Sequence, residues 1–323
     1  MKFYQPSKEQ APYGLRAVTM VAKAAEGGIA QSHKAMLAAD QHLIWQTAID
    51  LDRLEPITPE ELAQHFSDPH LARQLVQSMV LMSLANGPTS QEQEKLIKAF
   101  ATALKVEEPA VDTIQHLVNH NMAMFYIDIY RYSNANDYIK AQYRTQGGIW
   151  GVAKALLGVI GLVEDKELAG RFHALKDLPD NTLGSHFYHY YVNRGFAFPG
   201  EKGGSPLGFV WHDFGHILGG YDITPQDEIL VSAFQAGYRR TENAFYTLLF
   251  GFLIHSTGIN VAPIPMPKLI GRIGQGDLAE QMIKALKRGV EMKTDLGADW
   301  NFWPYLPMPL EEVRKKLGVS AAE

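Results

Sequence analysis

The stretch from Trp211 to Glu228 admits few local structures, and the rest of the chain has to be built around it. It runs Trp211-His212-Asp213-Phe214-Gly215-His216, then Gly219-Gly220-Tyr221, then Thr224-Pro225-Gln226-Asp227-Glu228. Residues four apart on a helix lie roughly 40° apart around its axis, so His212 and His216 can present two imidazoles to one ion. Gly219 and Gly220 tolerate the left-handed conformation that closes a helix, and Thr224-Pro225 supplies an N-cap and a first-turn proline for the next one. The spacing therefore predicts a tight helix-loop-helix. Glu228, in the first turn of its second helix, folds back toward the histidines, and Asp213 lies beside them.

Any ion at such a place must be held by nitrogen and oxygen, because the 323-residue chain contains no cysteine. That absence excludes disulfides, thiolate metal sites, cysteine-held iron-sulfur clusters and a cysteine nucleophile. With 46% hydrophobic and 20% charged residues the chain has enough apolar material for a substantial core. A formal charge of -5 argues against nucleic-acid binding. Residues 1–6 lack the pattern of an export signal, and the apolar runs at 149–163 and 244–254 are short or interrupted by Lys154. The expectation is a cytoplasmic protein without a spanning helix, with peripheral membrane contact left open.

Proline and glycine punctuate the N-terminal half near Pro56, Pro69, Gly87-Pro88, Pro109 and Gly147-Gly148, and the segments between carry helical periodicity. Thr58-x-x-Glu61 and Thr89-x-x-Glu92 have the pattern in which a hydroxyl and a carboxylate satisfy free amides at a helix start. After the second, Leu96, Phe100 and Leu104 share one face, leaving Glu92, Glu94, Lys95 and Lys98 mostly on the solvated one. Met20, Met36, Met79, Met82, Met122 and Met124 are expected to fill the core. Tyrosines between 126 and 143 suit an interface, and residues 149–163, apolar nearly all round, form a buried helix or the wall of a greasy pocket. Trp300, Trp303 and Tyr305, among prolines, are expected to clamp the C-terminal tail onto the core. The predicted fold class is all-α, in two helical domains, 1–147 and 148–323.

Two resemblances attach to these segments. Leu75-Val76-Gln77-Ser78-Met79-Val80-Leu81-Met82, leading into Asn86-Gly87-Pro88-Thr89-Ser90-Gln91-Glu92, resembles the TerB-like tellurite-resistance helical domain, although members usually carry an acidic residue where this chain has Asn86. His212-Asp213-x-x-His216, an eleven-residue gap and Glu228 resemble the HDxxH-x11-E signature of the coenzyme Q biosynthesis protein 4 family. Leu178-Pro179 with Thr182-Leu183-Gly184 is similar to the family's upstream segment. Arg288-Gly289, Trp300, Pro309-Leu310, Val313-Arg314 and Leu317-Gly318-Val319 are similar to its C-terminal end. Where a second acid is common, seven residues after Glu228, this chain has Gln235.

That resemblance implies a divalent metal, Zn(II) before Fe(II) or Mn(II), with His212, Asp213, His216 and Glu228 as ligands. It further implies a role in ubiquinone or related prenylquinone biosynthesis, through oxidative decarboxylation of a prenylated hydroxybenzoate-type ring with hydroxylation at the vacated carbon. The implied partners are a prenylated aromatic or isoprenoid lipid, other quinone-pathway proteins or a second copy of the chain. Asp213 is either a ligand or a base. On a helix running from Glu228 to about residue 254, Glu228, Gln235, Arg239, Glu242 and Tyr246 fall within roughly 40° of one line. Such a polar stripe lines a cavity or pairs with itself at an interface. Arg239 and Glu242 join Asp213 as candidate catalytic residues, Arg239 or Arg240 holding a carboxylate or phosphate. His186, His189 and His255 are ordinary core or surface histidines, or contacts to the site. The alternatives are a non-catalytic carrier of a prenyl lipid and a zinc hydrolase with Asp213 as base.

Overall fold

The computed structural model describes residues 2–133, 164–262, 265–298 and 300–320, and among these the regular structure is helical throughout. The only strand-like pairings among them are two isolated bridges, Thr182 with Pro309 and Thr257 with Ile270. No described helix is long and apolar enough to cross a membrane. The proposed domain boundary at 147/148, the apolar run at 149–163 and the tyrosines at 138 and 143 lie outside the described residues.

Proline sets most of the helix starts in the N-terminal half, because its fixed φ suits the first turn and its missing N–H costs nothing there. Pro59, Pro69 and Pro109 open Pro59–His65, Pro69–Leu84 and Pro109–Val118. Thr58 caps the first of these, its hydroxyl accepting from the Glu61 amide at 3.1 Å, while the Glu61 carboxylate turns away to Arg16 at 2.7 Å. The next expected cap is displaced by one residue. Ser90 caps Gln91–Ala103 in a reciprocal box with Gln93, and Thr89 is buried with its hydroxyl 2.8 Å from that of Ser83. Ser-x-x-Gln is an equivalent box to Thr-x-x-Glu, so the buried Thr89–Ser83 contact decides the frame. The shift carries Glu94, expected in solvent, into a buried position. Met36, Met79 and Met82 fill the core as expected, whereas Met122 is exposed.

Buried side chains from both halves belong to one hydrophobic cluster. The apolar helix Phe245–Ser256 packs on Pro69–Leu84 and Met122–Tyr132, and Leu278–Glu291 packs on Gln31–Ala39. Tyr246 shows the junction in detail: it is fully buried, its hydroxyl lies 2.7 Å from that of Thr113, and its ring meets Tyr132 at 5.0 Å. The tail is clamped as predicted. Trp300 meets Phe214 edge-on at 5.4 Å, Trp303 packs on Phe172 at 5.2 Å, and the Leu183 and Gly184 amides donate to the carbonyls of Met308 and Leu306.

Among the described residues the most extensive helix packing is Pro225–Tyr238 against Leu278–Glu291, and a glycine makes it possible. A Cβ on Gly289 would stand 1.9 Å from the Phe234 carbonyl oxygen, a backbone atom that cannot swing aside. Gly289→Ala is therefore expected to destabilise the fold by about 2–3 kcal/mol, the upper range for overpacking, measured as a lowered midpoint in urea denaturation.

Candidate metal centre

Helix Val210–Gly219 carries both histidines, His212 in its first turn and His216 in its last. It closes as expected: Gly220 adopts φ 76°, and the amides of Gly220 and Tyr221 both donate to the His216 carbonyl. Three residues later Thr224 caps Pro225–Tyr238, accepting from the Asp227 amide, and Glu228 sits in the first turn of that helix. The sequence dictates this turn locally, and the turn folds Glu228 back over the imidazoles.

The two Nε2 atoms lie 3.2 Å apart. Glu228 Oε2 is 3.7 Å from His212 Nε2 and Oε1 is 3.6 Å from His216 Nε2. One donor atom from each of the three residues lies within 4.8 Å of the other two, so His212, His216 and Glu228 could hold a metal ion together. The outer nitrogens are equally determined. His216 Nδ1 is 3.0 Å from the Asp222 carbonyl, an obligate acceptor, so Nδ1 carries the proton and Nε2 the lone pair. Gln235 donates its amide to the His212 carbonyl at 3.1 Å, which turns its Oε1 to His212 Nδ1 at 3.1 Å and assigns the same tautomer. Such outer bonds are what orient metal-binding imidazoles. Gly215 makes room for this one, since a Cβ there would meet Gln235 Nε2 at 2.3 Å.

Without an ion the cluster holds a proton. Burial disfavours a charged His212, but Glu228, supported by Asp213 and Gln235, outweighs it and lifts its pKa to about 9. Burial, reinforced by the His212 cation, presses His216 down to about 4. Burial would raise Glu228, yet the imidazoles, above all His212, bring it down to about 2. The donor set therefore fits a divalent cation, which replaces that proton between two neutral imidazoles and a carboxylate.

Asp213 does not join the three. Its carboxylate accepts a 2.5 Å hydrogen bond from the buried Tyr191 hydroxyl, and loss of water around it raises its pKa. The reason is angular: adjacent helical residues diverge by about 100°, so Asp213 leaves the helix on another side from His212. The predicted long helix also ends early. Pro225–Tyr238 stops where Asp295 Oδ2 accepts the Arg240 amide at 2.7 Å, and a new helix starts at Phe245. Glu228 and Gln235 thus stay at the centre, while Arg239, Glu242 and Tyr246 leave it. Arg239 is buried, bonded to Asp295 at 3.3 Å and stacked over Trp211. Glu242 is exposed in the break, with its backbone carbonyl accepting from Arg73.

Of the other candidate histidines, His186 and His189 are exposed and line a cavity of about 600 Å³ whose wall includes His216 but neither His212 nor Glu228. His255 is buried to 8% exposure and electrostatically coupled to Glu228 and His212, and burial lowers its pKa. Tyr191, and the orienting roles of Asp222 and Gln235, went unread in the sequence. Gln235 had a signal, standing two helical turns after Glu228 on the same face.

No protein-family model matches this chain, and no curated protein matches its sequence.

Binding of Zn(II) should displace the proton held at His212, so apparent affinity is expected to rise by about tenfold per pH unit from pH 5 to about 9, measured by chelator competition. Gly215→Ala should push Gln235 off His212 and weaken Zn(II) by about 10–100-fold while thermal stability of the metal-free protein stays near wild type. Equal affinity in that variant would remove Gln235 from the site.

Proposed function

We propose that the protein acts in the biosynthesis of ubiquinone or a related prenylquinone, as a metal-dependent enzyme that removes a carboxyl group from a prenylated hydroxybenzoate-type ring and hydroxylates the vacated carbon. The observation that carries this reading is the convergence of His212, His216 and Glu228, the HxxxH-x11-E residues of the coenzyme Q biosynthesis protein 4 resemblance, on one point with both Nε2 lone pairs turned inward. Those three residues would hold the ion, and three protein ligands leave positions for substrate. When bound, a divalent ion there supplies Lewis acidity toward ring oxygens and, for Fe(II) or Mn(II), redox chemistry with dioxygen as the oxidant. The chain's own contribution is the half-buried surround of the centre, where Tyr191 holds Asp213; a substrate carboxylate that sheds its water on binding there would lose CO2 more readily.

Exposed apolar surface supports a lipid-borne substrate. Large apolar side chains are exposed on segments flanking the two metal-ligand helices, namely Val192, Phe196, Leu207 and Ile223, and peripheral contact with a membrane surface would cover them. The hydrolase alternative needs Asp213 free to deprotonate water, and its bond to Tyr191 weighs against that role.

The test is turnover of a prenylated 4-hydroxybenzoate labelled with ¹³C in the carboxyl group, in air, with protein loaded in turn with Zn(II), Fe(II) and Mn(II). Labelled CO2 and a hydroxylated ring are the expected products, reduced to background in His216→Ala and Glu228→Gln. Tight binding of the prenyl compound without CO2 release from any loaded form would instead make the protein a carrier.

A further inference from the structure

The C-terminal residues Arg288 and Arg314 lie far from the metal ligands in sequence, and nothing above gives them a function. Between them they take three consecutive carbonyls. A helix leaves its last carbonyls without intrahelical donors, and in Val210–Gly219 that last turn contains His216. Arg314 donates from Nη2 to the Ile217 carbonyl at 2.9 Å and from Nε to the Leu218 carbonyl at 3.0 Å. Arg288 donates from Nη2 to the Gly219 carbonyl at 3.1 Å and from Nη1 to the Tyr221 hydroxyl at 2.6 Å.

We infer that Arg288 and Arg314 are positioning residues of the metal centre, acting through the end of the histidine helix and the turn that follows it. Three observations join into this. A ten-residue helix has little stability of its own, so the alignment of two imidazoles one turn apart depends on what holds its ends. Two guanidinium groups at its C-terminus complement the negative end of the helix dipole as well as the orphan carbonyls. Arg288 then anchors Tyr221, next to Asp222, whose carbonyl takes the His216 Nδ1 proton. On the far side Arg194 binds the Asp222 carboxylate at 2.5 Å, so that peptide is pinned from both directions. The tautomer of His216, and with it the aim of its Nε2, is set by a chain of contacts that starts on the C-terminal helices.

This rests on His212, His216 and Glu228 being the metal ligands, and the experiment separates the two claims. In the full-length chain, Zn(II) affinity is measured by chelator competition and the His216 Nδ1–H resonance is followed by NMR in the metal-free protein. Arg314→Met and Arg288→Met are each expected to weaken Zn(II) by about 10–100-fold, the range for lost outer contacts, and to broaden or abolish the His216 resonance. Arg314→Lys keeps the charge without the two-pronged bond and should recover only part of the affinity. Arg16→Met, which breaks the Arg16–Glu61 pair in the N-terminal half, is the control for loss of stability alone, with affinity unchanged. If the arginine variants fail to fold, Tyr221→Phe decides, since it keeps both guanidinium groups and removes only the Arg288–Tyr221 bond; a few-fold loss is expected. Wild-type affinity with an intact His216 resonance in the folded variants overturns the inference. Absence of Zn(II) binding by the wild type overturns the ligand assignment instead, and the resonance then decides the clamp on its own.

Discussion

Two imidazole nitrogens stand 3.2 Å apart beside a carboxylate, with both outer nitrogens already tied to carbonyl oxygens. Two lone pairs at that distance repel unless a proton or a cation lies between them. Glu228 is 3.6–3.7 Å from the same nitrogens, where opposite unit charges attract by about 4 kcal/mol at an effective dielectric of 20. The arrangement demands positive charge at its centre, and the surrounding elements prevent it from relaxing in any other way. Asp222 and Gln235 hold the rings from behind, Gly215 lets Gln235 come close, and the turn at 220–224 keeps Glu228 over them.

This degree of order comes from distant parts of the chain. The helix bearing Glu228 is fixed by its close crossing with Leu278–Glu291 at Gly289, and that helix in turn leans on Gln31–Ala39 from the N-terminal half. The other side of the Glu228 helix meets Phe245–Ser256 so closely that a Cβ on Gly251 would lie 2.0 Å from Ser232 Oγ. His255, one turn further along Phe245–Ser256, falls on that same face by helical period, which accounts for its coupling to Glu228. Because the core is continuous across both halves, packing far from His212, His216 and Glu228 bears on their separation.

Much of this centre was legible before any coordinates, because its ingredients are local. The four-residue histidine spacing, the glycine close, the Thr-Pro start and the placement of Glu228 all follow from rules that act within a turn or two. What escaped is tertiary. Nothing near Arg240 in sequence announces that the Asp295 carboxylate captures its amide and ends the helix there, so Arg239 and Glu242 were extrapolated along a helix that does not continue. The choice between Thr89 and Ser90 as a cap turned on a buried partner, Ser83, rather than on propensity. Asp213 is different: its divergence from His212 was calculable from the helical angle, and adjacency was the wrong criterion.

The sides of the centre are unequal, and that constrains how a ligand reaches it. His216 is 1% exposed, against 37% for His212 and 21% for Glu228. The cavity of about 600 Å³ has His216 in its wall, together with Arg194, Arg314, His186 and His189, yet includes neither of the other two residues. Because it does not reach His212 or Glu228, it is not the route to the inward Nε2 atoms. Approach must come past His212 and Glu228. On that side the approach passes the N-terminal turns of both ligand helices, where Leu207 precedes one and Ile223 the other, each with its side chain in solvent.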